Sequence, residues 1–179
     1  PAGLAYAPEL VALIRGLGDF RVGVAPFPEG HPRAIDVEHD TANLVTKLRA
    51  GAEYSITQMF FEVDDYLRLR DRVAAVDPEQ GAKPIIPGLM PITSLRTVTR
   101  QVELSGSQIP PQLLERLTRA AGQGPEENRD EVRKIGIEPA TEMSRRLIAE
   151  GAPCLHFCTL NFARATSEVL ANLGMTVAV

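Results

Sequence analysis

VAPFPEGHPRAIDVEHDTANLVTKLRAGAEYSITQ, residues 24–58, decides the reading of this chain. A β-rich run from Phe20 to Phe27 meets a Pro-Glu-Gly-His-Pro turn. A helix follows over Ala34 to Ala50, where Val37, Ala42, Leu44, Val45 and Leu48 recur at helical spacing, and Gly51 stops it. A second strand covers Tyr54 to Phe61 and carries one amide, Gln58. Strand, polar turn, polar-faced helix and strand, in that order, suit a ligand site at the C-terminal mouth of an α/β barrel.

The pattern repeats outward from this stretch. Upstream, Leu10, Val11, Leu13, Ile14 and Leu17 predict a helix. Downstream, Asp64 is placed to cap a helix over Tyr66 to Val76, and PIIPGLMP, Pro84 to Pro91, reads as a strand broken by its prolines. Thr93 or Ser94 caps a helix over Leu95 to Leu104, and Ile109-Pro110-Pro111 opens another to Ala121. A longer helical stretch runs from Glu126 to Glu150 with Pro139 inside it. Leu155 to Leu160 is the last strand, and Arg164 to Leu173 the last helix, closed by Gly174. Four near-continuous apolar strands, each followed by a helix, predict a parallel sheet with helices outside it. Periodicity alone does not choose between a doubly wound sheet and part of a barrel.

Composition narrows the function classes. The chain has 179 residues, 44% hydrophobic and 23% charged, enough for one domain with a substantial core. A net charge of −4 gives no electrostatic basis for nucleic acid or an anionic membrane surface. No apolar run reaches the roughly 20 residues that span a bilayer, and no secretory signal pattern opens the sequence. Cys154 and Cys158 are its two cysteines, so no disulfide framework is expected, which favours a reducing, cytoplasmic setting. The first residue is Pro1, a sign of processing or of an incomplete chain.

Candidate site residues follow from chemistry and spacing. His31 is fixed between two prolines of the turn and directed just beyond a strand end, where loops of such folds carry function; it also suits a turn histidine bonded to a nearby carbonyl. Asp40, Asn43 and Lys47 lie three and four residues apart and share a helix face. An acceptor, an amide and a cation together suit ribityl hydroxyls and a phosphate. The same stripe suits solvent, and Asp40 and Lys47 stand too far apart to pair directly. Gln58 lies among Ile56, Met59, Phe60 and Phe61 and is expected to be buried, its amide satisfied by a ligand or by a neighbouring strand. Cys154, His156 and Cys158 alternate onto one strand face, but a strand spreads them by roughly 6–7 Å per pair of residues. That favours core cysteines and a hydrogen-bonded histidine over zinc, so no metal site is expected. No phosphate loop, nucleophile elbow or His-Glu-x-x-His motif appears.

FPEGHPRA, DTANLVTKLRAGA, ITQMFFEVDDYLRLRDR, PIIPGLMPI, GIEPATE and HFCTLN, taken together and in order, resemble the flavin-dependent methylenetetrahydrofolate reductase family, from about Tyr6 to Met175. The resemblance implies a (βα)8 TIM barrel of which this chain, residues 1–179, supplies strands five to eight as a partial domain. It implies FAD, NADH or NADPH as electron donor, and a ping-pong reduction of 5,10-methylenetetrahydrofolate to 5-methyltetrahydrofolate. By position, Ala25, Phe27, His31, Asp40, Asn43 and Lys47 match flavin-contacting residues, and Gln58 matches the glutamine that contacts folate and faces the nicotinamide. The family's catalytic glutamate and a flavin-adjacent aspartate belong to the first half of its barrel, which this sequence does not include, so no catalytic residue is expected here.

The sequence departs from the family pattern in places. Phe27 stands where tyrosine is common, Thr46 where some members have a second cation, and CTLNF replaces YTLNR. Phe162 thus takes the place of a substrate arginine, with Arg164 the candidate substitute. A half barrel exposes unpaired strand edges, which predicts association into a homo-oligomer. A noncatalytic half barrel that assembles with itself or with a complementary chain is the competing reading.

Overall fold

The alternating turn signals and apolar runs resolve into short parallel strands separated by helices. The computed structural model describes residues 3–124 and 126–175; the expectation attached to Pro1 falls outside them. Two compact units emerge. One joins the chain through Gln58 to Asp64–Pro87, the other joins Met59–Val63 to the chain from Gly88 onward.

In the first unit, α1 (Ala7–Leu17) precedes β1 (Gly23–Val24), α2 (Val37–Arg49) and β2 (Tyr54–Ile56). Then come α3 (Val63–Val76), α4 (Pro78–Gly81) and β3 (Ile85–Ile86). The strand order is β1-β2-β3, all parallel, with Gly23 opposite Tyr54 and Ser55 opposite Ile85. Backbone pairing runs beyond the strand ends: Thr57 N–H donates to Ile86 O at 2.9 Å and Gln58 N–H to Pro26 O at 2.8 Å. Along β2 and past it, Ser55 and Thr57 are buried while Ile56 and Gln58 are half-buried, the alternation expected when one sheet face is better covered.

Helical spacing makes the core. Leu44, Val45 and Leu48 of α2 and Tyr66, Leu69 and Val73 of α3 are buried, each contributing about 1.5–3 kcal/mol relative to exposure for side chains of this size. Some polar groups in this interior are paired, whereas Ser55 Oγ and Gln80 Oε1 are buried with no hydrogen-bond partner among the described residues. Tyr66 OH donates to Ile85 O at 2.8 Å, and Lys83 Nζ donates to Leu48 O and Ala52 O, both at 2.8 Å, closing the C-terminal end of α2. Gly51 turns the chain out of α2 at φ 117°, a left-handed conformation that glycine tolerates.

The second unit holds β4 (Gly88–Leu89), α5 (Leu95–Ser105), α6 (Pro111–Ala121), α7 (Arg129–Ala149), β5 (His156–Phe157) and α8 (Ala163–Asn172). Strands β4 and β5 pair in parallel, with Gly88 opposite His156. Of the two expected caps for α5, Ser94 serves: its Oγ accepts Thr97 N–H at 3.2 Å. Met59, Ile92, Val98, Leu113, Leu117, Ala121 and Val132 form one core cluster. Ile137, Ala140, Ala165 and Val169 form another. Gly136 lets α7 approach the backbone closely, since a Cβ there would stand 2.2 Å from Ile92 O.

The α/β class and the parallel pairing agree with the sequence reading; several boundaries do not. All four strands are shorter than expected. Pro26 and Pro28 end the first, because proline supplies no N–H to a ladder, and the break expected in the third falls at Pro87, between β3 and β4. Asp64 does not cap α3 but lies in its first turn, where a carboxylate favours the helix dipole. Helix α4 adds to the expected elements, although Asp77 before Pro78 is a helix-start signal. Its carboxylate accepts Glu79 and Gln80 N–H, each at 3.1 Å. Among the described residues no helix is long and apolar enough to cross a membrane.

Candidate functional site

In the first unit the turn after β1 is held by residues of the two helices that follow it. Asp36 starts α2, its Oδ1 accepting His39 N–H at 2.7 Å. One turn on, Asp40 reaches back out of the helix, and its Oδ2 accepts the backbone N–H of His31 at 3.1 Å. The turn is also held from α3: Arg72 Nη2 donates to Pro28 O and Nε to Thr41 Oγ1, each at 3.3 Å. Burial pushes the Arg72 pKa down, with Arg68 adding to the shift and Glu38, Asp40 and Asp65 opposing it. The Pro-Glu-Gly-His-Pro turn is therefore clamped by a carboxylate on one helix and a guanidinium on the next.

His31 is oriented twice over. Its Nδ1 accepts Arg33 N–H at 3.0 Å, which in the neutral ring leaves the proton on Nε2. Its ring meets Phe27 edge-to-face, with centroids 4.6 Å apart and planes at 72°. Phenylalanine in place of tyrosine thus has a packing role that needs no hydroxyl. The β1–β2 register, continued through the Gln58 N–H to Pro26 O bond, sets Phe27 beside Gln58. The sequence suggests a buried Gln58; the structure leaves it half-buried, because it lies on the less covered sheet face. Its side-chain amide makes no hydrogen bond among the described residues. Ala25, on the same face, is exposed.

The other two members of the α2 stripe differ. Asn43 is exposed, with Nδ2 3.4 Å from His39 Nδ1. Lys47 lies about 10 Å along the axis from Asp40, at 1.5 Å per residue, and makes no ion pair among the described residues. It is half-buried, and desolvation lowers its pKa while the Asp40 charge opposes the shift. Each of the three carries a group able to donate a hydrogen bond: the Lys47 ammonium, the His31 Nε2–H and the Asn43 amide.

In the second unit, Cys154, His156 and Cys158 are all exposed. The expectation of core cysteines is corrected: β5 is only His156–Phe157, and the intervening Leu155 and Phe157 turn inward instead. Among the described residues no three His, Cys, Asp or Glu side chains come together as a metal site.

A family model described as methylenetetrahydrofolate reductase matches residues 1–174. The chain belongs to the methylenetetrahydrofolate reductase family. It is 36% identical over 177 residues to methylenetetrahydrofolate reductase 1 of Schizosaccharomyces pombe, covering 97% of this chain and 28% of that protein. It is 34% identical over 172 residues to 5,10-methylenetetrahydrofolate reductase of Escherichia coli, covering 95% of this chain and 55% of that protein. The Pectobacterium carotovorum enzyme of the same name is 36% identical over 173 residues, with 95% and 54% covered. The chain thus spans about half the length of these bacterial relatives and less of the S. pombe one. A solved structure of an uncharacterized Clostridium thermocellum protein that binds two copies of 5-methyl-5,6,7,8-tetrahydrofolic acid superposes with a TM-score of 0.58. It is 18% identical, over 90% of this chain and 56% of that one, a likeness of fold.

For a member of the methylenetetrahydrofolate reductase family, the structure adds residues that sequence reasoning passed over. Arg72 and Thr41 brace the turn, and His39 accompanies Asn43. Thr41 carried a readable signal, since it lies on the buried side of α2 next to Asp40. Arg72 carried none: it looks like any arginine of a charged helix until the fold sets it under Pro28.

Proposed function

We propose that this chain supplies the flavin- and folate-contacting half of an enzyme that reduces 5,10-methylenetetrahydrofolate to 5-methyltetrahydrofolate, with FAD bound and NADH or NADPH as donor. The observation that carries the reading is the convergence of Phe27, His31, Asp40 and Gln58 beyond parallel strand ends in a chain matched by the family model over residues 1–174. In this reading the strands are five to eight of a (βα)8 barrel, whose C-terminal mouth is where such folds place their sites. Bound FAD supplies a two-electron carrier between nicotinamide and folate.

The chain's own residues bind and orient. Asp40 and Arg72 fix the turn so that His31 presents Nε2–H to the cofactor. Lys47 offers its charge to a phosphate and Asn43 its amide to a hydroxyl, while the open stretch at Ala25 leaves room for close approach. Gln58 offers both a carbonyl and an NH2 to whichever substrate occupies the open sheet face.

Titration of FAD into the purified protein tests this, read by quenching of flavin fluorescence beside a Lys47→Met control. Saturable quenching that the substitution weakens is the expected result. Absence of saturable FAD binding would overturn the cofactor assignment, and unchanged affinity in the Lys47→Met protein would return the α2 stripe to solvent.

A further inference from the structure

Helix α5 begins with groups that its own first turn does not satisfy. Ser94 Oγ accepts Thr97 N–H at 3.2 Å, which leaves the N–H of Leu95 among the donors that a helix start cannot pair internally. The first turn holds no acidic residue but does hold Arg96, the wrong sign for the positive end of the helix dipole. Both deficits are met from another part of the chain. Glu127, in the connection between α6 and α7, accepts Leu95 N–H on Oε1 and Ser94 Oγ–H on Oε2, the latter at 2.8 Å.

The connection that carries Glu127 is itself fixed. Asn128 N–H donates to Ala121 O at 3.1 Å, and Arg129 N–H to Glu127 O at 2.9 Å. The Asn128 side chain caps α7 by accepting Glu131 N–H at 3.3 Å. Farther along α7, Gly136 meets the other end of the same segment, where a side chain would overlap the Ile92 carbonyl. Residues 92–95 are thus pinned at both ends. Between the pins, Thr93 is half-buried, and its hydroxyl makes no hydrogen bond among the described residues.

This segment leads out of β4 at the C-terminal end of the strand, the end at which the barrel reading above puts its ligands. Met90, Thr93 and Ser94 line a narrow cavity there with Cys158 and Thr166. We propose that Glu127 is a positioning residue for the folate. Its two carboxylate oxygens, one on Ser94 and one on Leu95, hold residues 92–95 in the conformation that meets the ligand, and Glu127 itself does not touch the ligand. The proposal rests on the folate reading above. Glu127→Ala abolishes both contacts. In Glu127→Gln the amide still serves both, its oxygen accepting Leu95 N–H and its NH2 donating to the Ser94 hydroxyl, which donates and accepts alike.

Hydrogen exchange across residues 92–97, read by mass spectrometry, is combined with titration of 5-methyltetrahydrofolate and of FAD into the purified protein and three variants. Glu127→Ala is expected to speed exchange at Leu95 and to weaken folate binding on the order of tenfold, while FAD binds as before. Glu127→Gln is expected to restore both properties. Asn128→Ala removes the α7 cap and no contact to residues 92–95, so it lowers the melting temperature with folate affinity unchanged. Unchanged exchange in Glu127→Ala would overturn the proposal. So would an equal folate loss in Asn128→Ala, which would make the effect one of stability alone, or a Glu127→Gln protein as poor as Glu127→Ala, which would make it one of charge. Failure of the unsubstituted protein to bind 5-methyltetrahydrofolate, with exchange still faster in Glu127→Ala, would instead remove the functional reading, and the folate role of Glu127 with it.

Discussion

Asp40 Oδ2 accepts the backbone N–H of His31 across nine residues of sequence, at 3.1 Å, so the first turns of α2 hold the turn that precedes them. Asp40→Ala removes this acceptor and leaves the N–H of a half-buried residue unpaired. A stability loss of about 1 kcal/mol is expected, together with weaker FAD binding as His31 loses its orientation. Asp40→Asn keeps an oxygen at nearly the same place and restores most of the stability. Thermal melts and flavin titration of both variants check this; an Asn variant as poor as Ala would mean that the charge, not the clamp, is what matters.

Lys47 opposes stability in order to present a cation. Burial lowers its pKa and Asp40 counters only in part. Between that lowered value and about 10.4 for an unfolded lysine, the unfolded chain binds more protons than the folded one, so stability rises with pH across the window. Below the window the desolvation penalty is fully present. Lys47→Met removes it while keeping an apolar stem, so the flavin-free variant melts higher than the unsubstituted protein near neutral pH. The difference shrinks as the pH climbs through the window. Melts from pH 7 to 10.5 decide the matter: a difference that grows with pH would mean that Lys47 is stabilised, not penalised, by its surroundings.

At Gly136 two effects of opposite sign compete. Alanine in a helix interior gains about 1 kcal/mol over glycine by propensity. Here its Cβ would stand 2.2 Å from Ile92 O and 2.6 Å from Ile92 Cβ, and the first of these atoms is backbone, which has no rotamer to swing away. Overpacking of that kind costs typically about 1–3 kcal/mol. Gly136→Ala is therefore expected to destabilise the protein despite the better propensity, with a lower urea midpoint. An unchanged or higher midpoint would show that α7 slides away from the Ile92 segment without cost.

The sequence made legible what periodicity and turn chemistry control. Helix α2 lies within one to three residues of its expected ends because Asp36 and Gly51 punctuate it locally. The break at Pro87 was legible from its prolines, but the lengths of the other strands were not, because where a ladder stops depends on which neighbour each backbone N–H meets. The shared face of Asp40, Asn43 and Lys47 followed from spacing, yet their separate fates did not. Whether a polar side chain clamps a turn, meets another polar residue or stays unpaired depends on residues remote in sequence. Arg72 is the clearest case, joining Pro28 and Thr41 from a helix that shows no motif for it. The exposure of Cys154 and Cys158 was missed for a related reason: alternation fixes which residues share a face, but not which face is covered.

Gln58 combines a structural bond and a free one. Its backbone N–H holds the β1–β2 ladder through Pro26 O at 2.8 Å, while its side-chain amide, beside Phe27 on the less covered sheet face, has no partner among the described residues. Gln58→Ala therefore leaves the ladder intact and removes only the amide, so the melting temperature should stay close to that of the parent. If, in a complete enzyme that also carries the first half of the barrel, the amide contacts nicotinamide and folate in turn, both half-reactions weaken while FAD stays bound. Loss of one hydrogen bond to a neutral partner costs about 0.5–1.5 kcal/mol, or about tenfold in affinity at the upper end. Stopped-flow reduction by NADH or NADPH and reoxidation by 5,10-methylenetetrahydrofolate, run beside a melt, separates the outcomes. A purely structural glutamine would instead lower the melting temperature and weaken flavin and both substrates together, and unaltered kinetics in both half-reactions would remove Gln58 from the site.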